Sequence, residues 1–297
     1  MKRSLRLIAS CAVAMVVAAS VLAAPRDASE PTSTVIANQN GDGWIEVLAQ
    51  GEGPVIVLLP SLGRGASDFD AIAVRLASAG YRVLRPQPRG IGRSVAPLTG
   101  INLHDYAADV ARVIEQEKMG PAFVVGHAFG NRVARMLAGD RPELVTAISM
   151  VAADVGTSTN TPKILEAIRN SVDPALPDDE RTRALQLAFF APGNDASVWL
   201  HGWYPEALAA ERLAGALTPR QNDSSDAEVP ILYVQPSHDP FARVEDPRAY
   251  RERFGSRVSV VVIEQASRAV IVEQPDAVSA ALVAYARRLW PHAMLQQ

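Results

Sequence analysis

Phe123-Val124-Val125-Gly126-His127-Ala128-Phe129-Gly130-Asn131 is a short apolar, β-branched run that meets two glycines four residues apart. It reads as a strand passing straight into a helix, and the glycines let the backbone make a tight, strained turn with Ala128 at its centre. On either side, short β-branched runs alternate with longer segments of helical period. The runs are Val55 to Leu59, Tyr81 to Leu84, Ala122 to Val125, Val145 to Val151, Ile231 to Val234 and Val258 to Ile263. That alternation predicts an α/β fold, a mostly parallel central sheet flanked by helices.

Three intervening segments carry clear helix signals. Ser67 and Asp70 have the spacing of a capping box, ahead of Phe69, Ile72, Ala73 and Leu76 on one helical face. Asn102 precedes Leu103, Tyr106, Ala107, Val110, Val113 and Ile114, the stripe of a helix lying on a sheet. Pro275 sits in the first turn of a last helix with Val278, Ala281, Leu282, Tyr285 and Leu289 facing inward. Between Gly156 and Glu228 no strand pattern appears, only helical segments separated by prolines, so residues 156–228 are expected to form a helical cap inserted between sheet strands. Phe189, Phe190, Trp199, Trp203 and Tyr204 crowd into this insertion although aromatics make up only 6% of the chain. They read equally as the wall of an apolar ligand pocket and as the subdomain's own core.

Composition excludes several classes. The 297 residues are 48% hydrophobic, which suits a sizeable core rather than disorder. Twenty-nine basic against 32 acidic residues, with no long basic run, give no footprint for a nucleic-acid partner. One cysteine, Cys11, rules out an internal disulfide framework and a cysteine-based zinc cluster. Lys2, Arg3 and Arg6 precede the apolar run Leu7 to Ala24, and Val21 and Ala23 have the spacing of a peptidase site. Residues 1–23 are therefore expected to be a signal peptide and 24–40 a flexible linker, with the core in 41–155 and 229–297. Cleavage would remove Cys11 and three positive charges, giving a more acidic periplasmic or secreted protein with no stable membrane association. The alternative is a chain anchored by an uncleaved helix.

The strand-glycine-glycine-helix frame resembles the G-x-S-x-G nucleophile elbow of the α/β-hydrolase superfamily, with Ala128 at the serine position. Gln87-Pro88-Arg89-Gly90-Ile91-Gly92-Arg93-Ser94 resembles that family's D-x-R-G-x-G-x-S loop, with Gln87 in the Asp place. Ile231 to Val234 followed by His238-Asp239-Pro240 resembles the strand and loop that deliver the acid. Glu264 to Ala269, then Glu273-Gln274-Pro275, resembles the histidine loop ahead of the final helix. The resemblance covers nearly the whole chain after the signal and implies the order nucleophile, acid, histidine at Ala128, Asp239 and Arg268. It also implies an oxyanion hole from the backbone N–H groups of Leu62 and Phe129, although Pro60-Ser61 stands where the family more often has His-Gly.

Two triad positions depart from the family in ways that remove chemistry. A methyl group cannot attack a carbonyl, and a guanidinium with a pKa above about 12 cannot accept a proton near neutral pH. Asp239 alone fits its role. Ser61 is the hydroxyl to test as a substitute nucleophile. Among the histidines, His127 flanks the turn and is best read as packed, though it joins the candidate ligand-binding residues with Trp199 and Trp203; His201 is the one with a line of sight to the pocket mouth. Dehalogenase and epoxide-hydrolase chemistry would need an aspartate at position 128, and cofactor-free oxygenation a histidine base. No phosphate-binding fingerprint or metal-ligand cluster is present, so no cofactor is expected. A small-molecule ligand or substrate is the expected partner, either ester-like or, as Arg268 would suit, a carboxylate or similar anion; this is the reading of a binding or decayed hydrolase homologue, a pseudoenzyme. The other reading is an active ester or amide hydrolase using a non-standard nucleophile.

Overall fold

The computed structural model describes residues 30–38, 40–153, 161–218, 229–241 and 247–291. The expected signal peptide lies outside the described residues. In chain order the elements are β1 (Thr32–Ala37), β2 (Trp44–Gln50), β3 (Val55–Leu59), α1 (Asp70–Ser78), β4 (Arg82–Pro86), α2 (Leu103–Glu117), β5 (Ala122–His127), α3 (Gly130–Asp140) and β6 (Val145–Val151). Then follow α4 (Pro162–Ser171), α5 (Asp178–Phe189), α6 (Pro205–Leu217), β7 (Ile231–Pro236), α7 (Pro247–Phe254), β8 (Val258–Ile263), α8 (Val270–Glu273) and α9 (Pro275–Leu289). The strands form one eight-stranded sheet in the order β1-β2-β4-β3-β5-β6-β7-β8. Pairing is parallel from β4 through β8 and antiparallel at β1–β2 and β2–β4. This is the α/β-hydrolase fold, with α4, α5 and α6 inserted between β6 and β7.

The sheet is apolar on both faces because helices cover both. Along β3, Val55, Val57 and Leu59 pack with Tyr106 and Val110 of α2 and Leu137 of α3, while Ile56 and Leu58 pack with Ile72 and Leu76 of α1 and Leu282 of α9. Alternate side chains thus enter two separate cores, as a pleated strand requires.

Two expectations need correction. Residues 24–40 are not a linker throughout, because β1 occupies Thr32–Ala37; it is an edge strand whose side chains are mostly exposed, so it lacks the apolar run that marks the inner strands. The capping box of Ser67 and Asp70 does not form. A 3-10 turn at Ala66–Phe69 precedes α1, whose N-cap is Phe69 with no side-chain cap, and the Asp70 carboxylate instead pairs with Arg85 on β4. Asn102 does cap α2, in a full capping box with Asp105.

The turn after β5 is enforced sterically. A Cβ at position 126 would lie under 3.0 Å from backbone atoms of Gly130 and Asn131, and one at 130 under 3.0 Å from the Leu59 and Pro60 carbonyl oxygens. Gly139 in the same helix is exposed and has open space around its missing Cβ. Gly130→Ala should therefore cost about 1–3 kcal/mol through overpacking, while Gly139→Ala should gain about 0.5–1 kcal/mol from helix propensity. Urea unfolding midpoints of the two variants check this; equal effects would show that the close approach at 130 is relaxed at no cost.

Candidate functional site

Ala128 sits between β5 and α3 in the left-handed region, φ 48°, where a non-glycine residue is strained. Its N–H donates to Val151 O at 2.9 Å, and its carbonyl accepts from both the Asn131 N–H and Asn131 Nδ2. The methyl group lines a cavity of about 410 Å³. Of the predicted site residues, Ser61, Leu62, Phe129, Trp199, Trp203 and Arg268 line the same cavity. Among the described residues neither the Leu62 nor the Phe129 N–H donates to a protein acceptor. The cavity lies between the strand ends and the cap, with Leu165 and Ile168 of α4, Phe189 of α5 and Leu208 of α6 supplying apolar wall.

Asp239 and Arg268, on the loops after β7 and β8, come together as the family resemblance implies. Arg268 Nη1 donates to Asp239 Oδ2 at 3.2 Å, and Asp239 Oδ1 accepts the Phe241 N–H at 2.9 Å. The Asp239 side chain is 0% exposed, whereas that of Arg268 retains 14% and faces the cavity. The Phe241 ring lies under the guanidinium, 4.7 Å from its centroid to Cζ. Glu273 fixes the Arg268 loop: its carboxylate accepts from the N–H groups of Ser267 and Ala191 and from Asn194 Nδ2, each at 2.7 Å. The Ala269 N–H adds a bond to Phe189 O, so this loop is tied to the cap at several points.

His127 does not line the cavity. It is fully buried against the rings of Phe69 and Trp199, and its Nε2 lies 2.7 Å from the Arg268 carbonyl oxygen. A carbonyl only accepts, so Nε2 carries the proton; burial drives the imidazole pKa down to about 3 and keeps it neutral. His127 thus positions the Arg268 backbone and contributes no base. His201 is likewise removed from the pocket. Its side chain is exposed and its carbonyl accepts from Arg64 Nη1, because the chain there turns outward at Gly202. The cap aromatics serve both predicted roles: Phe190 and Trp199 form a buried cluster with Leu185, while Phe189, Trp199 and Trp203 also face the cavity.

Two residues that join the loop after β3 to the cap carry no sequence signal. Arg64, on the loop after β3, pairs in bidentate fashion with Asp68 at 2.8 and 2.6 Å and sits in the corner formed by the nearly perpendicular rings of Trp199 and Trp203, 4.8 Å from each centroid. Glu211 on α6 is fully buried and accepts the Gly63 N–H at 2.6 Å. Burial raises its pKa to about 8, the Gly63 hydrogen bond opposing only in part.

Residues 56–281 match the model of a family described as "Alpha/beta hydrolase family". A 2-(acetamidomethylene)succinate hydrolase of Mesorhizobium japonicum is 28% identical over 127 residues, 43% of this chain and 45% of that protein. A non-heme chloroperoxidase of Streptomyces lividans is 39% identical over 89 residues, 30% and 32% of the two chains. The chain thus spans less than half the length of these curated relatives. An esterase from Exiguobacterium antarcticum superposes with a TM-score of 0.69 at 19% identity, over 86% of this chain and all of that one.

A carboxyl that stays protonated up to about pH 8 when folded, but ionises near 4.5 when unfolded, makes stability fall as pH rises between those values. Glu211→Gln keeps an acceptor for Gly63 and removes this penalty. The variant should match the wild type near pH 4.5 and exceed it by roughly a few kcal/mol at pH 8.5. Urea unfolding at the two pH values tests this, and a difference that does not grow with pH would refute it.

Proposed function

This chain belongs to the alpha/beta hydrolase family, and on that footing we propose that it binds a small carboxylate beneath the cap and does not hydrolyse it. The reading rests on Arg268. Of the five N–H donors of a guanidinium, one goes to Asp239, and no other finds a protein acceptor among the described residues. That cation shares its cavity with the open Leu62 and Phe129 N–H groups and with the positive end of α3. Arg132, Arg135 and Arg212 also line the cavity, and no carboxylate does among the described residues. The relative named for 2-(acetamidomethylene)succinate acts on a succinate derivative, which supports an anionic ligand.

The chemistry of ester hydrolysis finds no support at the turn. The nucleophile position of the family holds a methyl group, and His127 is neutral and committed to the Arg268 carbonyl. Ser61 lines the cavity but bonds to no histidine or carboxylate among the described residues, so nothing there activates it. Lys2, Arg3, Arg6 and the apolar run after them support export of this binding protein to the periplasm or medium.

Phenylacetate should raise the melting temperature of the purified protein, and chloride at equal ionic strength should not. The shift should disappear in Arg268→Gln and in the charge-balanced Asp239→Asn/Arg268→Gln, the latter keeping a fold that the single change leaves with a buried, less compensated carboxylate. An equal response in wild type and double variant overturns the reading, as does p-nitrophenyl acetate turnover that is lost in Ser61→Ala.

A further inference from the structure

Arg212, one turn along α6 from Leu208, lines the same cavity as Arg268. Its side chain is exposed and makes no hydrogen bond or ion pair among the described residues. Three residues further along α6, and so its neighbour on the helix surface, the Gly215 carbonyl accepts from Nη2 of Arg132 on α3 at 3.0 Å. The glycine leaves the room this takes, since a Cβ at 215 would lie under 3.0 Å from Arg132 Nη1. Arg132 and Arg212 approach the cavity from the opposite face of the sheet to Arg268. Helices α3 and α6 join α2 in one core through Val133, Leu137 and Ala214, whereas the Arg268 loop runs into Val270 and Ile271, which pack with α1 and α9 in the other. A ligand lying across the strand ends therefore meets guanidinium groups on both sides, with Leu165 and Ile168 of α4 and Phe189 of α5 as apolar wall. Like charges turned into one cavity repel, and among the described residues no carboxylate lines it to compensate them.

We infer that the ligand is a two-headed acid, a dicarboxylate with one head on Arg268, the other on Arg212 beside Arg132, and an apolar chain joining them beneath the cap. The inference rests on the carboxylate reading of Arg268 and adds to it a second charge. Arg268 is fixed in the fold by Asp239 and Phe241, so it sets where the first head binds. Arg212 is solvated and unpaired, so it can close on the second head without breaking a bond within the protein, and its planar fork suits a carboxylate. An ion pair that stays half in water is a modest contact and weakens with salt. The second head therefore selects among acids rather than supplying most of the affinity.

Calorimetric titration with adipate and suberate, each against its own monoamide, compares acids of equal length that differ by one charge. Two equivalent heads give a diacid a twofold advantage by statistics alone. The expected result at low salt is an advantage of at least about fourfold for one of the two lengths, shrinking as ionic strength is raised. In Arg212→Gln, a change at an exposed side chain, that ratio should return to about two. If the monoamides bind the wild type but neither length reaches a fourfold ratio, the second-head inference is wrong and the Arg268 reading stands. A ratio that stays unchanged in Arg212→Gln also overturns it, since the second carboxylate then finds its cation elsewhere. If neither diacids nor monoamides bind, the carboxylate reading fails and this inference with it.

Discussion

The Leu59 and Pro60 carbonyl oxygens occupy the space that a side chain at position 130 would need, and most of the site follows from that contact. With glycine there, the first turn of α3 can lie against the end of β3. The backbone between β5 and α3 must then reverse within Ala128 and Phe129, which forces Ala128 to positive φ. The same geometry brings the Phe129 N–H and the loop of Ser61 and Leu62 to one cavity and aims the partial positive charge of the helix into it. None of this depends on what side chain stands at 128. A strained turn that costs of order 1–3 kcal/mol is kept although the residue at its apex has no reactive group. What the turn still supplies is a set of oriented donors, which is what an anion site needs.

The second set of constraints joins the cap to that turn. The loop after β3 is held by the cap through three kinds of contact: the Gly63 N–H on Glu211, the Tyr204 N–H on Gly63 O, and Arg64 against two tryptophan rings. Burying the Arg64–Asp68 pair carries a desolvation cost. Bidentate geometry, the bond from Nη1 to His201 O and the two aromatic faces offset it. Either tryptophan is thus both a wall of the cavity and half of the clamp on the loop that shapes it. Through these contacts the cap forms part of the frame that shapes the cavity.

Much of this was legible in the sequence, and the boundary of legibility has physical causes. Strands β3 to β7 and helices α2 and α9 announce themselves because both faces of the sheet are buried and a helix on a sheet must carry an apolar stripe, while edge strand β8 shows through its β-branched run. Edge strand β1 was unreadable because its side chains meet solvent, and the apparent capping box failed because Asp70 has a stronger partner in Arg85, distant in sequence. At the site, Ala128, Asp239 and Arg268 were found by their place relative to strands and glycines. Arg64 and Glu211 were not, since their roles come from tertiary contacts across many residues. A buried glutamate in a helix of ordinary composition has no signature. Only its burial beside Gly63 shows that it stays protonated.

An arginine facing an aspartate can be merely an ion pair that neutralises itself. The asymmetry of this pair argues for more. A pair formed only to neutralise itself gains most when both charges are buried together and each satisfies the other, and replacing it by apolar groups is often as stable. Here only the carboxylate is withdrawn from solvent, with one oxygen on the Phe241 N–H and the other on the guanidinium. The cation remains partly open, stacked on Phe241 and held at its backbone by His127. Asp239 and Phe241 therefore act on Arg268 from behind, fixing a long side chain that would otherwise lose rotamer freedom on meeting a ligand. That loss costs about 0.5–1.5 kcal/mol for each such side chain at a binding site. Because it is met in folding, the open face of the guanidinium is preorganised for a carboxylate.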